Sequence, residues 1–149
     1  MAFFSRLRAQ RAAQRELGEG VWRRANDRFT RSLDRVFQVV EGIKDDGVYN
    51  QLLPAANDMA DLQETVRQIC ARAHEMTPST DEIIPPATSQ VHRALTKSAN
   101  DLATTAQVMA MMRMQAEAGG VVDQDAVQHR ARIVKEDVER ALKLLENLK

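Results

Sequence analysis

Apolar side chains recur every third or fourth position through four long stretches of this 149-residue chain, with charged residues between them. In the first stretch Trp22, Ala25, Phe29, Leu33, Val36, Val40 and Ile43 form the stripe, and in the second Val66, Ile69, Ala73 and Met76. Val91, Leu95, Leu102, Ala106 and Met109 carry it in the third, and Val127, Val134, Val138, Ala141, Leu145 and Leu148 in the fourth. A period near 3.6 marks helices that bury one face against each other.

Local signals divide the chain. Residues 2–17 read as a short amphipathic helix, with Phe3, Phe4, Leu7 and Leu17 as its apolar members and Arg6, Arg8, Arg11 and Arg15 as its basic ones. Gly18 and Gly20 interrupt it, since glycine weakens a helix interior. The first bundle helix is expected from about Glu19 to Lys44, stopped by Asp45-Asp46-Gly47 with Gly47 in the left-handed conformation. The second is expected over residues 50–76, with Pro54 in its first turns or marking a kink. Thr77-Pro78 ends it.

Ser79-Thr80-Asp81-Glu82 matches a capping box, so a single helical turn is expected at 80–84, followed by a third helix from Pro86 to Ala118. Gly119-Gly120 is the clearest turn. Asp123 is a good N-cap for a fourth helix reaching about Leu148, and Val122 and Val127 are placed to staple its start. Glu136–Arg140 and Glu139–Lys143 are spaced to pair on its wet side.

Short connections at 45–49 and 119–122 require antiparallel neighbours. The expected fold is all-α: an antiparallel up-down four-helix bundle, or a three-helix core with one looser helix, plus the short N-terminal helix. Its parts are a basic amphipathic segment, 1–18, and a helical bundle, 19–149.

Aromatic residues are only 4% of the chain, which suits close helix packing and argues against a sheet. The single Cys70 excludes an intramolecular disulfide. No stretch approaches the length of a membrane-spanning helix, and no secretory leader is apparent, so a cytoplasmic protein is expected. Net charge is zero but uneven. Residues 1–44 carry ten basic and five acidic side chains, and residues 45–90 two basic and eight acidic. Pairing between the first and second bundle helices is the simplest account of this asymmetry.

Catalytic and cofactor chemistry finds little support. No Glu-x-x-His occurs, which removes the ligand pattern of a carboxylate-bridged di-iron bundle. Cys70 with His74, and Asp125 with His129, are each at most half of a zinc site. No phosphate-binding loop, dinucleotide fingerprint or nucleophile elbow is present. Neither enzyme activity nor a cofactor is expected, and no metal. Arg23, Arg24, Arg28, Arg31 and Arg35 make a basic band beside Trp22 and Phe29, but interleaved acids and a near-neutral pI disfavour nucleic acid as a partner.

Two contact surfaces remain. Phe3, Phe4 and Leu7 with Arg6, Arg8, Arg11 and Arg15 suit contact with a protein partner or an anionic membrane surface. The opening Phe4-Ser5-Arg6 resembles the amphipathic head of the phage-shock membrane-stress proteins over about seven residues. The remainder lacks that family's long helical hairpin, so the resemblance implies no more than membrane contact by the head. Met109, Met111, Met112 and Met114 crowd the end of the third helix. Four methionines within six positions cannot share one narrow stripe, so Met111 or Met114 is expected at the surface as a partner contact. The leading expectation is a non-enzymatic interaction or scaffold bundle that self-associates as a homo-oligomer. The alternative is a peripheral membrane protein anchored through residues 2–17.

Overall fold

The computed structural model describes residues 2–148; Met1 and Lys149 lie outside the described residues. Six α-helices follow one another: α1 (Ala2–Leu17), α2 (Val21–Glu41), α3 (Asp46–Ala60), α4 (Gln63–Met76), α5 (Ser89–Glu117) and α6 (Gln124–Glu146), with a short 3₁₀ turn at Pro86–Thr88 before α5. The architecture is an all-α, up-down four-helix bundle with an additional N-terminal helix. Its four columns are α2, the broken helix α3–α4, α5 and α6.

The stripes read from the sequence form the core, except that Met76 is exposed at the end of α4 and Ile43 and Leu148 are only partly buried. Trp22, Phe29, Val36 and Val40 of α2 are buried, as are Ile69 and Ala73 of α4, Leu95, Leu102 and Met109 of α5, and Val127, Val134, Ala141 and Leu145 of α6. Removing these side chains from water supplies the main drive for assembly. The direction of each column follows from its contacts. Gln63 of α4 donates to Thr30 of α2 while Val21 reaches Ser79, so α2 and α4 are antiparallel. Lys97 meets Asp137, and Gln90 and Leu144 line one cleft, so α5 and α6 are antiparallel too.

The α2–α5 interface is as extensive as that of α5 with α6, and α2 and α5 run parallel. The Trp22 ring sits edge-on to His92, with centroids 5.7 Å apart. Further along, Arg28 donates to Asn100, and Arg113 donates to the Val39 carbonyl near the end of α2. The α3–α4 column carries the chain back between this parallel pair, and residues 77–88, the crossover, then link α4 to α5.

Several boundaries differ from those read in the sequence. Asp45 does not stop α2; it caps α3, accepting from the Val48 N–H at 3.0 Å, and Gly47 lies inside α3. Pro54 therefore falls in the third turn. It is tolerated on the exposed face, where the Asn50 carbonyl that lost its donor can be hydrated. The helix expected at 50–76 breaks at Asp61–Leu62. Met59 and Val66 stay in phase across the break, so periodicity conceals it. Residues 80–82 form bends and 83–84 are irregular, with no helical turn, because the Ser79 hydroxyl accepts from Val21 and caps α2 instead.

Asp123 caps α6 as expected, accepting from the Ala126 N–H at 3.0 Å, and Val122 and Val127 are both buried. On α6, Glu139 lies nearest Lys135, at 3.9 Å, rather than Lys143. Among the described residues no ion pair joins α2 to α3 or α4. The charge asymmetry is thus not neutralised between the first two columns: Arg24 lies 4.0 Å from Glu82 in the crossover, and Arg28 turns to α5.

Candidate functional site

Helix α1 joins the bundle only at its C-terminal end. Leu17 is buried in the core, Ala13 packs against it, and Arg67 of α4 pairs with Glu16. Gly18 then turns the chain at φ +72°, a conformation that disfavours side chains, and a Cβ there would collide with the His74 ring. His74 in turn accepts from the Ser79 N–H at 3.2 Å. This histidine holds the joint between α1, α4 and the crossover.

Upstream of Ala12, every residue of α1 is exposed except Leu7, which is half-buried without joining the core. Phe3 is 69% exposed and Phe4 57%, and their rings meet edge to face at 5.7 Å. At 3.6 residues per turn, Ala2, Ala9, Ala12 and Ala13 gather on the side of the helix opposite Phe3, Phe4 and Leu7. Of these alanines only Ala13 packs against the core, and Ala2 and Ala9 are exposed. Arg8 and Arg15 border the Phe–Leu face on one flank and Arg6 on the other, with Arg11 one turn beyond Leu7. Phe4, Leu7, Arg8 and Arg11 border an open concavity of about 510 Å³. Leu17, grouped with these apolar residues in the sequence, is separated from them by its burial.

The methionines at the far end of α5 divide. Met109 is fully buried and Met112 packs against the core, whereas Met111 and Met114 are 60% and 68% exposed. Val121, in the turn that follows, is also exposed.

A polar cluster on the α5–α6 seam escaped the sequence reading. Lys97 donates to Asp101 at 2.7 Å and to Asp137 at 3.0 Å. Asp137 is largely buried, and its second carboxylate oxygen has no partner. Burial first, then the neighbouring Asp101 carboxylate, push Asp137 up to about 6. Asp101 is held below the usual carboxylate range by the neighbouring Asp137 carboxyl and by Lys97. Paired with both acids, Lys97 is raised. The signal was available: Asp137 lies three residues after Val134 and four before Ala141, a stripe position. The cluster borders a cleft of about 310 Å³ that also includes Arg93 and Arg140.

Among the described residues no group of three or more His, Cys, Asp or Glu is placed to hold a metal ion. Cys70 is buried in the core, and burial pushes its thiol up to about 12, so it stays protonated. Trp22 and Phe29, next to the basic band, are core residues and leave it without stacking surfaces. No helix among the described residues is long and apolar enough to cross a membrane. Comparison of the chain with protein-family models, with curated proteins and with solved structures finds no match.

Proposed function

We propose that this protein is a non-enzymatic interaction module in which a rigid four-helix body presents α1 as its contact element. One observation carries the reading: α1 is fixed to the body by Ala13 and its last turn, while Phe3 and Phe4 are exposed and Leu7 stays outside the core. Neighbouring exposed aromatics are uncommon on a surface that has nothing to meet. The amphipathic helix is therefore read as an adaptor tip, not as a cover for the core.

The test is size fractionation of extracts from producing cells, comparing the wild-type chain with the double variant F3S/F4S. Wild-type protein is expected in larger or membrane-bound species, and the variant at the mass of the body free of that partner, with an unchanged melting temperature. Identical elution of both would overturn the reading.

A second contact surface is favoured by a separate observation, the exposure of Met111, Met114 and Val121 at the other end of the body. Methionine adapts to irregular partners, so self-association is assigned to this end. Sedimentation velocity at micromolar concentration is expected to show a dimer that M111K/M114K dissociates. A wild-type chain that stays monomeric would remove the homodimer.

A further inference from the structure

We infer that the occupant of the exposed α1 face is the surface of an anionic lipid bilayer, an inference that rests on α1 being the contact element. The first argument is charge. From Ala2 to Arg15 the helix carries Arg6, Arg8, Arg11 and Arg15 and no acid. None of the four forms an ion pair among the described residues. The nearest acid in sequence, Glu16, is already engaged by Arg67. The cationic character of this segment is thus left for an external partner.

The second argument is geometry. Phe3, Phe4 and Leu7 form one face, with Arg8 and Arg15 on one flank, Arg6 on the other, and Arg11 continuing the face one turn beyond Leu7. A helix lying in a headgroup layer needs this arrangement: rings and leucine directed into the acyl boundary, and guanidinium groups at phosphate depth on long apolar stems. Because α1 is tied to the bundle only through Ala13 and its last turn, the body would then stay on the aqueous side. Helix α1 supplies an in-plane anchor without any spanning segment.

The third argument weighs against a second copy of the chain on this face. Two α1 helices face to face would bring eight arginines together, with no acid on either face to offset them. The apolar surface on offer, on the order of 300 Å² per copy, also falls well below the roughly 800 Å² per partner of a stable protein interface. A bilayer does not require that area. It adds attraction to each cationic side chain near its surface, and that attraction is screened by salt.

The experiment is flotation of the full chain with vesicles of phosphatidylcholine alone, and of phosphatidylcholine containing phosphatidylglycerol, at low and high salt. The fluorescence of Trp22, buried in the bundle, reports that each variant remains folded. Wild-type protein is expected to float with the anionic vesicles at low salt, and to do so far less at high salt or with neutral vesicles. The variants F3S/F4S and R8Q/R11Q should each reduce the bound fraction about tenfold.

Binding that is equal for neutral and anionic vesicles, or unchanged in both variants, would overturn the inference. Absence of flotation with a sedimenting mass that falls in F3S/F4S would also overturn it, while leaving α1 as a protein-contact element. Absence of flotation with no difference between wild-type and F3S/F4S in either measurement would remove both readings.

Discussion

Ser79 accepts a hydrogen bond at 3.0 Å from the backbone N–H of Val21, a residue 58 positions earlier in the chain. The first turn of α2 is therefore capped from the crossover and not from its own sequence. Thr77 adds to the same joint: its carbonyl accepts from the Trp22 indole at 3.1 Å, and its hydroxyl meets that of Thr88. The variant S79A would leave a buried N–H without a partner, a loss of about 1–2 kcal/mol. Thermal unfolding should show a melting temperature lower by about 2–4 °C for each kcal/mol. An unchanged midpoint would mean that water replaces the hydroxyl at no cost.

Asp137 makes stability depend on pH in an unusual direction. Its carboxyl is raised in the folded chain to about 6 from an ordinary value of 3.8, so the folded state binds the proton more tightly than the unfolded one. The contribution of Asp137 is then fully present below the ordinary value and is lost as pH rises through about 6. The depressed Asp101 acts in the opposite sense, losing its contribution as pH falls through its lowered value. D137N keeps an acceptor for Lys97 and removes the buried charge. It should gain stability over wild type as pH rises from 4 to 7 and match it near pH 4. A constant difference across that range in denaturant titrations would show that burial does not perturb this carboxyl.

The methionines allow core and surface to be separated by one chemical change. M109A removes a fully buried side chain and should cost about 2–5 kcal/mol. M114A alters an exposed one and should stay within about 0.5 kcal/mol of wild type. Urea midpoints at a concentration where the chain is monomeric decide the matter; equal costs would mean that Met114 is covered within the single chain.

The two ends of the bundle should differ in hydrogen exchange. The segment 77–87 is tied to α2, α4 and α5 through Thr77, Ser79 and Thr88. The turn at 118–120 is held by bonds back to the end of its own helix, with Gly119 at φ +90° and Val121 uncovered. Residues 110–122 are expected to exchange faster than 77–87. The reverse order would show that the methionine end is the stiffer one.

The parts of the fold legible in the sequence were those specified locally. The span of α1, the Asp123 cap with its Val122–Val127 staple, and the four apolar stripes each depend on neighbours within a turn or two. Illegible features depended either on residues far apart or on local signals with two readings. Ser79 reads as the cap of its own turn because nothing near it reveals Val21. Asp45 reads as a stop because a turn signal and an N-cap use the same residue types. The break at Asp61–Leu62 preserves the stripe and leaves no periodic trace. At the candidate site, the composition of α1 identified Phe3, Phe4 and the arginines, but only the placement of Ala13 and Leu17 shows which side of the helix faces outward.

The parallel contact of α2 with α5 has a consequence for synthesis. The chain consists of two αα-hairpins, α2 with α3–α4 and α5 with α6, and the widest seam between them cannot close until the second has been made. On a translating ribosome, Trp22 emerges about 70 residues before His92, the ring it will sit against. Throughout that interval the first hairpin carries an uncovered apolar flank. A chain severed within the crossover would yield two halves that each lack the other's core face, and that must find each other to fold.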